Sequence, residues 1–148
     1  MHQTDTQQQH RKAWMATLAR SSHEQLRALI ATAGDTPSYH MPRPPESGLC
    51  QVRGLMGGNG QPFNLGEMTI TRCVVQLGDN TTGIAYIGGR DKRRAELAAV
   101  ADALLLNGSL SPTQLKPLRE RIDQQRQSRA DRVSATKVDF FTLVRGDD

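Results

Sequence analysis

Met68-Thr69-Ile70-Thr71-Arg72-Cys73-Val74-Val75-Gln76-Leu77 is the stretch on which the fold turns. Residues alternate along it with a period of two. Thr71, Cys73, Val75 and Leu77 share one face, while Arg72 and Gln76 share the other with Val74. Strict alternation of this kind specifies a strand with one buried face. A turn over Gly78, Asp79 and Asn80 leads into a second strand-like run, 83–87. Upstream, 49–56 forms a third, with Cys50, Val52 and Met56 on one face. Short connections between alternating runs predict an antiparallel sheet with one wet face.

Helical patterns flank these runs. Residues 7–19 predict a first helix with Trp14, Met15 and Leu18 on one side. Ser21 and Ser22, followed by Glu24 and Gln25, have the spacing of a capping box. The helix they open carries Leu26, Leu29, Ile30 and Ala33 and stops at Gly34. Residues 36–45 contain Pro37, Pro42, Pro44 and Pro45, which restricts them to loop or edge strand. Beyond the sheet, Asp91 caps a helix over 92–106 that is apolar around most of its circumference and ends at Asn107-Gly108. Ser111-Pro112 opens a further helix that breaks at Pro117 and continues towards Ala135. This order predicts an α+β fold: an antiparallel β-sheet of three to four strands with N-terminal and C-terminal helices. The expected single domain, 1–148, divides into a helical pair (1–34), a sheet (46–90), helices (91–136) and a tail (137–148).

Composition narrows the function classes. The chain has 148 residues, enough for one domain with a real core. Hydrophobic residues make up 36%, and the 13 glycines bring the total near the ~45–50% usual for globular chains. A lean apolar content suits a subunit whose burial is completed by partners. A net charge of +4 permits a phosphorylated ligand or nucleic acid without demanding either. Cys50 and Cys73 lie 23 positions apart with no CxxC pairing, so buried structural thiols are expected rather than metal ligands. No secretory pattern opens the chain and no apolar run spans a bilayer, so a cytoplasmic protein without membrane contact is expected.

Few residues offer chemistry. The loop Met56-Gly57-Gly58-Asn59-Gly60 lacks P-loop spacing, and a hairpin connection is the preferred reading over phosphate contact by Gly57 and Gly58. Gly88-Gly89-Arg90-Asp91-Lys92 joins a strand to a helix start, where backbone N–H groups favour anions. Arg90 and Lys92 are therefore candidate phosphate ligands. The competing and preferred reading is that Asp91 fills the cap, with Glu96 pairing Lys92 at i, i+4. Asp102 is a lone carboxylate in an apolar helix, neutralised by an arginine or facing an interface in preference to serving as a catalytic acid. His2, His10, His23 and His40 are scattered outside the sheet, and no catalytic or metal-ligating constellation emerges. In 119–132, acids interrupt the arginines and no aromatics interleave, so a solvated or partner-facing helix is preferred over a nucleic-acid surface.

The tail is unusual. Two of the six aromatic residues, Phe140 and Phe141, stand side by side near the end, among Val138, Asp139, Leu143, Val144 and Arg145. Burying this set yields a gain comparable to the entropy cost of ordering it. The segment is either a late strand or helix of the domain itself or a docking segment for a partner, and docking is preferred. The expected interface residues are Asp139, Phe140, Phe141, Leu143 and Arg145.

Taken in order, MGGNG (56–60), Thr71-Arg72, GRDK (89–92), Ala95-Glu96, Asp102-Ala103-Leu104 and VDFFTLVRGD (138–147) resemble the PhnG family, the G subunit of the bacterial phosphonate carbon–phosphorus lyase system. The likeness runs from about Glu46 to the end, with the opening helices similar but less specific. It implies an accessory, non-catalytic subunit of a complex with H, I and J subunits, joined transiently by the L subunit. It also implies a shared reaction in which adenine is displaced from MgATP by the phosphonate, giving α-D-ribose 1-alkylphosphonate 5-triphosphate. On this resemblance the chain itself holds no cofactor. MgATP is the substrate of the complex, and the iron–sulfur cluster sits on another subunit. The alternatives are a subunit that binds the triphosphate of ATP directly, or a small basic nucleic-acid-binding protein.

Overall fold

A computed structural model of the protein describes residues 2–35, 37–55 and 62–146, and the side chains of 5–35, 37–51 and 66–134. Helix α1 (His2–Ala19) and helix α2 (His23–Ala31) precede three strands, β1 (Tyr39–Leu55), β2 (Pro62–Leu77) and β3 (Thr82–Gly88). Helix α3 (Lys92–Leu106), a 3-10 turn (Pro112–Leu115) and helix α4 (Lys116–Gly146) follow. The strands form an antiparallel sheet in the order β1-β2-β3, the α+β arrangement that the alternation predicts.

Parity in β2 is as expected. Thr71, Cys73, Val75 and Leu77 are all buried, and Arg72 is exposed. On β3 the same layer is continued by Ala85 and Ile87. Helix α3 lies over this face, with Ala95 and every residue from Leu97 to Leu105 buried. Its closeness to the sheet depends on small residues. A Cβ at Gly83 would stand 2.1 Å from the Ala99 carbonyl oxygen and 2.8 Å from the Ala103 Cβ, so only glycine fits there. Helices α1 and α2 both pack on α3, through Trp14, Leu18, Leu26, Leu29 and Ile30, and α1 also meets β3.

Several local expectations hold, and several need correction. Ser22 and Gln25 form the capping box of α2, and Gly34 has the positive φ that favours glycine. The proline-bearing segment joins β1 as an edge strand. Its register shifts fall between His40 and Arg43 and between Arg43 and Glu46, where Pro42, Pro44 and Pro45 interrupt the ladder. His40 therefore lies within the sheet. Cys50 is exposed, whereas a buried thiol is expected from the sequence. It pairs with Met68, itself exposed, in the outward row of the sheet. Cys73 is buried, and burial pushes its thiol up to about 11. The first helix begins at His2 rather than residue 7. The expected break at Pro117 is the change from 3-10 to α-helix at Lys116, where proline is tolerated in the first turn. From there the backbone stays helical to Gly146, so the tail is a helix rather than a strand.

Asp102 is fully buried in the middle of α3. Its Oδ1 accepts a 2.7 Å hydrogen bond from Trp14 Nε1 and a longer 3.5 Å contact from Arg11 Nε. Its Oδ2 accepts from Arg11 Nη2 and from the Ile84 backbone N–H, both at 2.9 Å. The carboxylate thus ties α1 and β3 to α3, and the arginine neutralisation read from the sequence is supplied from 91 positions away. Among the described residues no buried polar side-chain atom lacks a partner. Asp102→Ala strands the Trp14 and Ile84 donors and is expected to cost about 3–5 kcal/mol. Asp102→Asn is expected to be nearly as harmful, because both carboxylate oxygens face donors and an amide nitrogen fits neither side. Urea unfolding of the two variants checks this; wild-type-like stability of the asparagine variant contradicts the assignment.

Candidate functional site

The turn 88–92 between β3 and α3 is where the sequence concentrates its candidate phosphate ligands, and the structure shows how it is held. Thr71, fully buried in β2, donates from Oγ1 to the Gly89 carbonyl at 2.6 Å and shares a 2.8 Å hydrogen bond with Ser47 Oγ on β1. The Gly89 N–H donates to the Thr69 carbonyl, and Gly89 has φ +94°, a conformation that glycine adopts without strain. The turn is therefore locked to the central strand from below. The alternation of β2 marks Thr71 as an inward residue but does not show what it holds. Its role depends on a glycine 18 positions away.

Asp91 is the N-cap of α3, and its Oδ1 accepts from the Arg94 N–H at 3.1 Å. Its Oδ2 meets His23 Nε2 at 2.5 Å, which joins the start of α2 to the start of α3. The hydrogen bond from His23, followed by that from the Arg94 backbone, holds the Asp91 carboxyl below the ordinary aspartate range. Arg90 and Lys92, on either side of the cap, are both exposed. Gly57 and Gly58 lie outside the described residues. Glu96 does not pair with Lys92. It pairs with Arg93 at 2.9 Å and accepts from the Tyr39 hydroxyl at 2.6 Å, because the i, i+3 arginine and the edge strand both lie on its side of α3.

Arg94, which the sequence reading passed over, is the hub of this region. Its Nη1 donates to the carbonyls of Ala19 (2.7 Å) and Ser21 (3.3 Å), and its Nη2 donates to the Gly88 carbonyl (3.0 Å). One guanidinium thereby closes the end of α1, the start of α2 and the end of β3 on one another. Beside it opens a cleft of about 730 Å³ between the α1–α2 junction and α4, whose walls include Arg20, His23, Arg94, Arg126 and Arg129. Neither Arg90 nor Lys92 lines it.

Among the described residues no three His, Cys, Asp or Glu side chains stand together as a metal site, and no helix is long and apolar enough to cross a membrane. Asp102, the one carboxylate that invited a catalytic reading, spends both oxygens on internal donors. The side chains of Asp139, Phe140, Phe141, Leu143 and Arg145 lie outside those described, although their backbone belongs to α4.

The depressed Asp91 carboxyl yields a signed pH dependence. A group whose folded value lies below its unfolded value stabilises the fold at pH above the unfolded value, and that contribution is lost as pH falls through the folded one. The melting-temperature advantage of wild type over Asp91→Asn is therefore expected to be full above about pH 4–5 and to shrink below about pH 4. Melting curves from pH 3 to 7 for both proteins check this. An advantage that grows as pH falls from 5 to 3 contradicts the lowered Asp91 carboxyl.

Comparison with known proteins agrees with the resemblance carried by these motifs. A family model described as phosphonate metabolism protein PhnG matches residues 9–146. The chain is similar to a protein of Rhizobium meliloti (strain 1021) named as the alpha-D-ribose 1-methylphosphonate 5-triphosphate synthase subunit PhnG. The two are 40% identical over 142 residues, which cover 93% of this chain and 90% of the relative. The match takes in both helical ends, the sheet, the Thr71-anchored turn and the tail, and on it the chain belongs to the PhnG family of phosphonate metabolism proteins.

Proposed function

We propose that the chain is an accessory subunit of the multi-subunit enzyme that makes α-D-ribose 1-methylphosphonate 5-triphosphate from MgATP and methylphosphonate. In that reaction a phosphonate oxygen forms a bond to the ribose C1′ carbon, the bond to adenine breaks, and adenine leaves with a proton. The observation that carries the reading is 40% identity to a named subunit of this synthase across nearly the whole of both chains. The architecture is compatible with it. The polar groups that hold the core are spent on one another, which suits a chain that supplies shape and surface to a shared site rather than the reacting groups. The H, I and J subunits of the carbon–phosphorus lyase system are the partners, with the L subunit joining transiently. The iron–sulfur cluster belongs to another subunit, and the chain works in the cytoplasm.

The docking element in this reading is the end of α4, through Asp139, Phe140, Phe141, Leu143 and Arg145. On a helix, adjacent phenylalanines project about 100° apart, so a crevice between subunits covers both more readily than one flat surface does. Aromatic anchors at interfaces commonly cost about 2 kcal/mol or more when truncated. Co-expression with the H, I and J subunits is expected to give one complex by native mass measurement, with adenine release from MgATP and methylphosphonate once the L subunit is supplied. The purified chain alone is expected to show none. Phe140→Ala with Phe141→Ala is expected to be lost from the complex while keeping wild-type circular dichroism. Turnover by the chain alone, or normal assembly of the double variant, overturns the corresponding part of the proposal.

A further inference from the structure

The cleft beside Arg94 has a one-sided electrostatic character. Arg20, His23, Arg94, Arg126 and Arg129 line it, and among the described residues no carboxylate does. Asp91, which contacts two of the lining residues, is engaged by His23 and by the Arg94 backbone N–H, with the Arg94 guanidinium at 3.9 Å. Arg20, Arg126 and Arg129 are exposed and have no carboxylate partner among the described residues.

From composition alone, the acids of 119–132 dilute the charge of its arginines. The helix sorts them instead. Ile122, Gln125, Arg126 and Arg129 recur at i, i+3, i+4 and i+7, and all four line the cleft. Glu120, Asp123 and Asp131 lie roughly 100–180° around the helix from Ile122, given about 100° per residue. The cleft therefore sees α4 as a basic stripe with one buried apolar residue at its base, and not as a mixed-charge helix.

We infer that this cleft, with Arg20, Arg126 and Arg129 as its principal ligands, binds an oligophosphate chain. Guanidinium groups present paired donors that match phosphate oxygens, and an anion relieves the repulsion among three unpaired arginines. The arginines come from two separate elements, with Arg126 and Arg129 nearly one helical turn apart, an arrangement suited to several linked phosphoryl groups more than to one. A volume near 730 Å³ is within the range of about 300–1,000 Å³ typical of small-molecule sites. Among the described residues no Phe, Tyr or Trp side chain lines the cleft, so it lacks the large stacking platforms by which single-stranded nucleic acids are held. The helix start at α2 adds little, because its capping box already occupies the first turn. The choice of a triphosphate as the ligand rests on the function proposed above, since the product named for the relative carries a 5-triphosphate.

The test is calorimetric titration of the full chain, and of the co-purified complex, with inorganic tripolyphosphate at fixed ionic strength. Saturable binding at one equivalent per chain is expected. Arg126→Ala with Arg129→Ala is expected to weaken it by about tenfold or more, and Arg20→Ala by less. Arg43→Ala with Arg72→Ala, which removes the same charge from the sheet, is expected to leave binding unchanged. No saturable binding in either preparation, or an equal loss in the Arg43/Arg72 variant, overturns the inference. Tighter binding of a single-stranded oligonucleotide of equal charge also overturns it and marks a nucleic-acid surface. Assembly with the H, I and J subunits is measured separately by native mass. Normal assembly without tripolyphosphate binding sinks this inference alone, whereas binding without assembly sinks the proposed function and leaves the cleft's chemistry standing.

Discussion

A carboxylate with no exposure to solvent, set in the middle of an alanine- and leucine-rich helix, governs how the rest of this molecule is arranged. Asp102 costs several kcal/mol to bury unless its oxygens are occupied. The fold occupies them with a guanidinium, an indole N–H and a strand N–H. Each donor comes from an element that must then stand in one place. Arg11 and Trp14 set the position of α1, and the Ile84 N–H sets β3 against α3. In a chain with few large apolar side chains, such directional bonds give specificity that area alone does not. Close approach is a precondition, and Gly83 under Ala99 and Ala103 supplies it.

The placement of α1 has consequences at its far end. The Ala19 and Ser21 carbonyls, at the exit of α1, are the acceptors that hold Arg94. Arg94 in turn holds Gly88, and the Asp91 cap holds His23. The 88–92 turn, anchored beneath by Thr71, thus becomes a rigid rim rather than a loose loop. The basic cleft lies between this rim and α4, so one of its two walls is carried on elements fixed through the buried aspartate.

Local patterns made much of the fold legible. The alternation in 68–77 identified the buried face of β2 residue by residue, and the Asp91 cap, the Ser22–Gln25 box and the Asn107-Gly108 stop bounded their helices. What stayed hidden was long-range. Period-two alternation assigns residues to faces but not faces to layers, so it does not reveal that Cys50 lies in the outward row. An apolar helix with one aspartate announces that a partner exists without saying which, and Arg11 and Trp14 lie about ninety residues away. Arg94 looked like one more charge after the cap, because its acceptors are carbonyls and leave no trace in side-chain patterning. On α4, counting charges obscured what their angular placement reveals.

The claim that a buried Asp102 cluster organises the chain is tested most directly by hydrogen exchange of two of its donors, the Ile84 amide and the Trp14 indole N–H. If the cluster is a keystone, both exchange only through global unfolding, with protection equal to that of the Val75 amide in the central strand, and Arg11→Ala lowers all three together. Rapid exchange of either donor while Val75 stays protected would contradict the account.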